Sequence, residues 1–538
     1  MAERLMGEWR VFGPPGTGKT TTLSRYVRDA VEKHGSDGVI VASFTRTAAA
    51  EIAGRDLPVD PERVGTLHAH CYRALGKPTI AETKVKDFNA EYPQYALSSE
   101  GHDLDEPATE RQYQTAGDEL MARYQVLRAR MICRDLWPPL VVGFARCWEE
   151  WVERNDYIDF TGMIERALER LDTAPGNPRV GFFDEMQDSS ALELALVRKW
   201  GRRMSFFVVC GDDDQAIYEW RGSSPEAFLD PPVPEEQKRV LRQSYRVPRA
   251  VLQVASAWIQ GVQRREPKEY AARDCDGEVR DVEATYRYPE PIVEDALRQI
   301  GDGRTVMVLA SCGYMLHPLI AVLRREGIPF HNPYRRNRGD WNPLRGHRGT
   351  SMVDRLLAFL RPHVDYFGDE RREWAADDVR MWAEVLRAEG VFKYGRKVIV
   401  EKLKGTRVLE YEELLDHFKD EAHMPILGME LDWYRDHMIG DKRRTMEFPL
   451  AVLRRHGVAG LTERPKLCVG TVHSVKGGEA DVVYLCPDLS QAGMQEWMMP
   501  GEGRDGIRRQ MYVGMTRARE QLVLCQPVSP CNVGRMVA

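Results

Sequence analysis

The sequence predicts an α/β protein with two parallel-sheet cores, each interrupted by a mainly helical insertion. Two observations carry that reading. Seven short apolar runs, at residues 10–12, 39–44, 180–183, 206–210, 306–310, 482–486 and 522–525, are each followed by a polar loop. Runs of this kind read as parallel strands buried on both faces, with helices between them. They fall into two clusters, one before about residue 240 and one after about residue 300. The second observation is a pair of long stretches, 77–154 and 338–464, rich in charge and tryptophan, with helical spacing and few strand signals. They read as insertions. The first core is then 1–76 with 155–240, and the second is 241–337 with 465–538. No self-similarity at a fixed interval suggests a repeat array.

The bulk numbers bound the class. A chain of 538 residues exceeds the size at which one hydrophobic core usually splits. Hydrophobic residues at 43% and charged residues at 29% are an ordinary balance for a globular protein. No apolar run approaches the ~20 residues that span a bilayer. The first ten residues lack the apolar core of a signal peptide, so the expectation is a cytoplasmic protein without a membrane segment. The ten cysteines are scattered with no C-x-x-C pair, which predicts reduced thiols rather than a zinc site, an iron–sulfur cluster or disulfides. A net charge of −6 does not advertise a nucleic-acid binder, but a local basic track is enough for one.

The first chemical motif follows the first strand. Residues 13–20 read G-P-P-G-T-G-K-T, and a helical run at 21–33 comes next. The pattern fits G-x-x-x-x-G-K-[ST], with strand and helix where a phosphate loop needs them. Gly13, Gly16 and Gly18 let backbone N–H groups wrap phosphates, with Pro14, Thr17 and Thr21 alongside, and the helix N-terminus adds a favourable field. Lys19 is placed to reach the β- and γ-phosphates of ATP, and the Thr20 hydroxyl to hold Mg²⁺. The acidic partner is Phe182-Phe183-Asp184-Glu185. Asp184 can bind Mg²⁺, and Glu185 can orient and deprotonate an attacking water. Alone, such a pair is more often a solvated strand end; downstream of a phosphate loop it points to ATP hydrolysis.

Seven further segments resemble, in order and wording, the superfamily 1 helicases of the UvrD/Rep/PcrA type. Residues 43–49 (S-F-T-R-T-A-A) resemble that family's motif Ia, and 65–69 (G-T-L-H-A) its motif Ib. Residues 156–160 (D-Y-I-D-F) resemble its Y-D-F-D-D element, and 211–222 (G-D-D-D-Q-A-I-Y-E-W-R-G) its motif III. Residues 241–246 (L-R-Q-S-Y-R), 470–479 (G-T-V-H-S-V-K-G-G-E) and 512–518 (Y-V-G-M-T-R-A) resemble motifs IV, V and VI. No single segment is decisive, but the ordered set is specific.

The resemblance implies two RecA-like motor domains carrying the two insertions, and a 3′→5′ ATP-dependent DNA helicase. It implies ATP and Mg²⁺ as substrate and cofactor. It also implies single-stranded DNA and single-strand/duplex junctions as partners, and the chain is expected to be monomeric or weakly self-associating. Arg246 and Arg517 would meet the γ-phosphate, a task suited to a permanently charged bidentate donor. Gln215 would sense the γ-phosphate or attacking water, Tyr245 would stack on adenine and Glu479 would contact ribose. Phe44, Phe160 and Trp220 would face bases, beside Arg221. Thr45, Thr66, His68 and Thr471 would supply polar contacts to the backbone without sequence readout. Trp220 stands out because it sits in a polar string. An isolated Arg is more often a surface ion pair, and a Phe more often core.

The sequence departs from the family in places. Only 12 residues precede Gly13, which leaves little room for an upstream adenine-reading Gln motif and leads to an expectation of loose base selection. Thr21 stands where relatives often carry Arg, Gly478 where they commonly have Leu, and Met186 where they often have Ala or Tyr. The second insertion, 338–464, looks shorter than in large relatives, and with little chain after motif VI neither a nuclease domain nor a long partner-binding tail is expected. Arg335, Arg336, Asn337 and Arg338, with Arg345 and Arg348, read equally as a DNA contact or a solvated loop. Competing functions are a translocase that strips proteins and unwinds weakly, a helicase on RNA or RNA–DNA hybrid, and a scaffold without motor activity. Intact Lys19, Glu185, Arg246 and Arg517 weigh against the scaffold.

Overall fold

A computed structural model describes residues 7–43, 58–98, 115–335, 340–345, 349–362, 373–405 and 407–536. Thirteen strands are defined among them: β1 (Glu8–Phe12), β2 (Val39–Ser43), β3 (Val64–Thr66), β4 (Thr79–Ile80), β5 (Tyr157–Ile158), β6 (Val180–Asp184), β7 (Phe206–Gly211), β8 (Lys238–Val240), β9 (Glu278–Val282), β10 (Val306–Ala310), β11 (Leu467–Thr471), β12 (Ala480–Leu485) and β13 (Ala518–Cys525). They form a six-stranded sheet in the order β3-β2-β6-β7-β1-β8, a five-stranded sheet in the order β11-β10-β12-β13-β9, and the small pair β4-β5. By chain contacts the molecule divides into two compact units: Met1–Glu283 with Leu309–Gly313 and Gly470–Ala538, and Ala284–Val308 with Tyr314–Val469. Among the described residues no helix is long and apolar enough to cross a membrane.

The six-stranded sheet is parallel throughout. Every residue of β2 and β6 is buried, as the continuous apolar runs predict. Successive side chains alternate between faces. Val39 and Val41 pack with Leu23, Val27 and Ala30 of the helix Lys19–His34. Ile40 and Ala42 pack on the other face with Leu67, Met163 and Leu196. Parallel pairing aligns strand ends: Phe12 is level with Gly211, and Phe183 with Val209. The loops that follow β1, β6 and β7 therefore leave the same edge side by side, where open parallel sheets bind ligands. Strands β3, β8 and β9, which the apolar runs do not reveal, have no fully buried residue, so they show no continuous apolar stretch.

Apart from β4, the described residues of 77–154 are mainly helical, with Val85–Glu91, Ala116–Ala129 and Pro139–Arg154 around an aromatic core of Phe88, Tyr124, Phe144, Trp148 and Trp151. A parallel pairing of β4 with β5 joins the chain near its two ends. Asp159 ties the base: it accepts from Trp148 Nε1 at 2.8 Å and from Arg128 Nη1 at 2.7 Å. The second unit is also mainly helical. Its aromatic core stacks Phe359 on Tyr434 at 4.3 Å and Trp382 on Phe418 at 5.4 Å. Of the basic stretch, Arg335 lies over Trp341 at 4.8 Å and Arg345 donates to the Thr462 carbonyl, while Arg336, Asn337, Arg338 and Arg348 lie outside the described residues.

His70 gives the first sheet's core a pH dependence. It is buried, with Nε2 3.1 Å from the Val41 carbonyl oxygen and Nδ1 3.1 Å from Arg73 Nη2, which sets a neutral ring donating through Nε2. Burial pushes its pKa down to about 4 from 6.5. As pH falls, the unfolded chain takes up the proton first, so this stability is full above about 6.5 and is lost through about 4. Between about pH 7.5 and 5 the loss should be about 2 kcal/mol. Urea melts of the parent and His70→Gln at both pH values check this; the variant should show a shallower pH slope, and equal slopes would refute the attribution.

Candidate active site

The loop after β1 is tied to the strand beside it, with Gly13 N donating to the Gly211 carbonyl at 2.9 Å. Thr17 Oγ1 closes the turn on the Pro14 carbonyl at 2.8 Å. Gly16 has φ +71°, and a Cβ there would lie 2.4 Å from Arg246 Cβ, so only glycine allows both the turn and the approach. The helix that follows starts at Lys19 behind a left-handed Gly18, so its N-terminal field points into the loop.

Lys19 Nζ stands 3.1 Å from Glu185 Oε1. Burial works against the ammonium, but Glu185, Asp184 and Asp212 outweigh it and hold its pKa above the usual lysine value. Burial likewise opposes charge on Glu185, but Lys19 and then Lys476 keep its pKa down at about 2. Its neighbour behaves oppositely: burial, then Glu185, push Asp184 up to about 7. Asp184 Oδ1 accepts from Glu185 N, while Oδ2 is buried with no hydrogen-bond partner. An orphaned carboxylate oxygen behind a Lys-Thr phosphate loop fits a divalent cation, with Asp184 and Thr20 as the donor set.

From Glu185 a polar chain runs sideways. Gln187 Nε2 donates to Glu185 Oε2 at 2.5 Å, and Gln187 Oε1 accepts from Asp212 N at 3.1 Å. Gly211 makes room, since a Cβ there would meet Gln187 Oε1 at 2.4 Å. Asp212 Oδ2 accepts from Gln215 Nε2 at 2.5 Å, and Gln215 Oε1 accepts from Arg517 Nη2 at 3.0 Å. Arg517 also donates to the carbonyls of Val513 and Gly478. These partners are all neutral, and the guanidinium is 1% exposed. Burial, then Arg246, lower its pKa to about 9. Glu185 and Glu479 offset only part of this, and a phosphate would relieve the remaining cost of the buried cation.

Arg246, Tyr245 and Glu479 gather at the loop. Tyr245 N donates to the Gly16 carbonyl and Ser244 Oγ to the Pro15 carbonyl, both at 2.8 Å. Arg246 Nε donates to Glu479 Oε2 at 2.7 Å, and Tyr245 is 72% exposed, open for stacking. Lys476 and Asp188 are candidate functional residues that the sequence reading did not single out. Lys476 Nζ lies 2.6 Å from both Asp188 oxygens and 2.7 Å from the Gln215 carbonyl. Lys476 sits inside the quoted segment 470–479 and Asp188 three residues beyond Glu185, so the signal was present, but not the pairing.

The residues expected to meet nucleic acid fall into groups. Trp220 lines a cavity of about 320 Å³ with Arg130, Glu219, His473 and Gln510. Its ring meets His473 edge-on at 6.4 Å, with Arg221 at 5.9 Å. Tyr218 OH donates to the His473 carbonyl, and His473 Nε2 lies 3.1 Å from the Ile217 carbonyl oxygen, so motifs III and V interlock beneath the cavity. Phe160, 46% exposed, pairs separately with His68 at 6.1 Å. The Thr66 hydroxyl caps the helix Leu67–Ala74 by accepting from Ala69 N, and the buried Thr471 hydroxyl accepts from Ser474 N. Phe44 and Thr45 lie outside the described residues.

Comparison with known proteins identifies the family. Residues 2–232 match the UvrD/REP helicase N-terminal domain, and residues 466–525 match the UvrD-like helicase C-terminal domain. The chain is similar to the ATP-dependent DNA helicase PcrA of Staphylococcus epidermidis, 24% identical over 296 residues covering 49% of this chain and 39% of that protein. PcrA of Staphylococcus aureus is 24% identical over 314 residues, 51% of this chain and 40% of that protein. A probable DNA helicase II homolog of Mycoplasma capricolum is 22% identical over 295 residues, 50% of this chain and 41% of that protein. The matches span about two fifths of each relative's length.

Proposed function

Because the chain belongs to the UvrD/Rep/PcrA type of superfamily 1 helicases, we propose that it is an ATP-driven motor that translocates 3′→5′ on single-stranded DNA and unwinds duplex DNA. The observation that carries this reading is the polar chain from Glu185 through Gln187, Asp212 and Gln215 to Arg517. It joins a general base to a buried cation whose hydrogen-bond partners are all neutral, an arrangement that suits phosphoryl transfer to water. In this proposal Lys19 leaves Glu185 for the γ-phosphate, and Glu185, freed, takes a proton from the attacking water. Arg517 and Arg246 neutralise the charge that spreads over the phosphate. Thr20 and Asp184 would hold Mg²⁺, which would supply further charge neutralisation. Tyr245 stacks on adenine, and Glu479 turns from Arg246 to ribose. We retain 1–76 with 155–240 and 241–337 with 465–538 as the proposed motor domains, with 77–154 and 338–464 as insertions.

Coupling follows from adjacency. Gln215 faces the phosphate chemistry, and Trp220, five residues later, faces the cavity in which a base stacks. Such stacking is worth about 1–3 kcal/mol per base, enough to change grip once per step. Trp220→Ala should therefore drive the ratio of DNA-stimulated to basal ATPase toward one and abolish unwinding of a 3′-tailed duplex. Its melting temperature should stay close to that of the parent, because Trp220 borders a cavity rather than a packed core. Parallel assays on a 5′-tailed duplex test direction, and an RNA strand tests the substrate. A large fall in melting temperature with a matched loss of basal turnover would make Trp220 a support of the fold and remove its coupling role.

A further inference from the structure

Three consecutive aspartates, Asp212, Asp213 and Asp214, follow β7, and none is more than 1% exposed. Buried carboxylates in succession repel one another and persist only against cations. The cations come from a segment 51 to 55 residues downstream, outside the quoted motifs. Lys268, its side chain 1% exposed, sets Nζ 3.1 Å from Asp212 Oδ1 and 3.0 Å from Asp214 Oδ2, and also bonds Asp213. Arg265 forks onto Asp214 at 2.8 and 2.6 Å, and Glu266 N donates to Asp213 Oδ2 at 2.9 Å.

Neutralisation alone does not need the asymmetry of this cluster. Lys268 holds Oδ1 of Asp212, which leaves Oδ2 to accept from Gln215 Nε2. With its amide nitrogen engaged, Gln215 presents Oε1 to Arg517. Two residues beyond Lys268, the hydroxyl of Tyr270 meets that of Tyr512 at 3.0 Å. Tyr512 lies on the helix Glu502–Met515, which ends two residues before Arg517. One short segment thus touches both sides of the Gln215–Arg517 pair.

We infer that Lys268 is a positioning residue for ATP hydrolysis: through Asp212 it sets the orientation of Gln215, while Tyr270, through Tyr512, sets the placement of Arg517. The inference rests on the motor reading above. Lys268→Met alone would strand buried carboxylates, so the informative variant combines it with Asp213→Asn, removing one charge of each sign and leaving Asp212 intact. This double variant should melt near the parent and bind a fluorescent ATP analogue within about threefold, yet turn over about tenfold or more slowly. The side-chain amide resonance of Gln215, in protein labelled at glutamine and assigned by its loss in Gln215→Ala, should shift. Lys268→Arg keeps the charge but displaces it, and should fold with the resonance shifted and turnover lowered; it serves if the double variant does not fold. Tyr270→Phe should cost several-fold in turnover at unchanged melting temperature. Parental turnover in the folded Lys268 variants, or an unmoved Gln215 resonance, overturns the inference and leaves Lys268 a neutraliser of buried charge. If the parent chain hydrolyses no ATP with or without single-stranded DNA, the motor reading falls instead, and the Gln215 resonance still decides whether Lys268 positions that side chain.

Discussion

Glu185→Gln is expected to bind ATP almost as the parent does and to hydrolyse it about 10²–10⁴-fold more slowly, the range over which a positioned general base contributes. The residue sits just past β6 with φ +56°, so the strand end aims its carboxylate back at the phosphate loop. Lys19 and Lys476 hold the pKa at about 2, so the group is ionised across the working pH range but is a weak base while both cations attend it. In the proposed reaction, transfer of Lys19 to a phosphate would remove the nearer cation and raise the basicity of Glu185 when a water must be deprotonated. Glutamine keeps the acceptor that Gln187 Nε2 uses and leaves the Asp184 and Lys19 contacts to nucleotide. A filter-binding assay for ATP alongside single-turnover hydrolysis checks both halves. If the folded variant fails to bind nucleotide, Glu185 belongs to the metal site or the scaffold.

Lys19→Ala is expected to abolish ATP turnover, a loss of about 10²–10³-fold or more, because it removes a preorganised cation where charge develops. The fold should persist. Lys476 also bears on Glu185, and Lys268 pairs with Asp212, so two of the three acidic residues around Lys19 keep a cation after its loss. Some stability should still go, since Lys19 is the close partner of Glu185 at 3.1 Å. Circular dichroism and thermal melts establish the fold, and phosphate release with and without single-stranded DNA measures turnover. Near-normal turnover in the folded variant would end the assignment of residues 13–20 as the phosphate site.

The sequence alone determined what is local. Strands such as β2, β6 and β10 are legible because parallel strands covered on both faces are unbroken apolar runs. The phosphate loop is legible because its glycines, Lys19 and Thr20 act within one turn of chain, and Asp184 and Glu185 because they close a buried strand. Only the tertiary structure decided which distant groups meet. Arg517 lies 302 residues from Gln215, and Lys476 lies 288 from Asp188, and no spacing or periodicity encodes such pairings. Lys268 reads as an ordinary charged residue until three buried aspartates close around it. Trp148 and Trp220 are the same residue type, yet one fills a core and the other borders a cavity. Edge strands β3, β8 and β9 escaped the reading for a related reason: partly exposed strands need no apolar run, and only their paired neighbours make them strands at all.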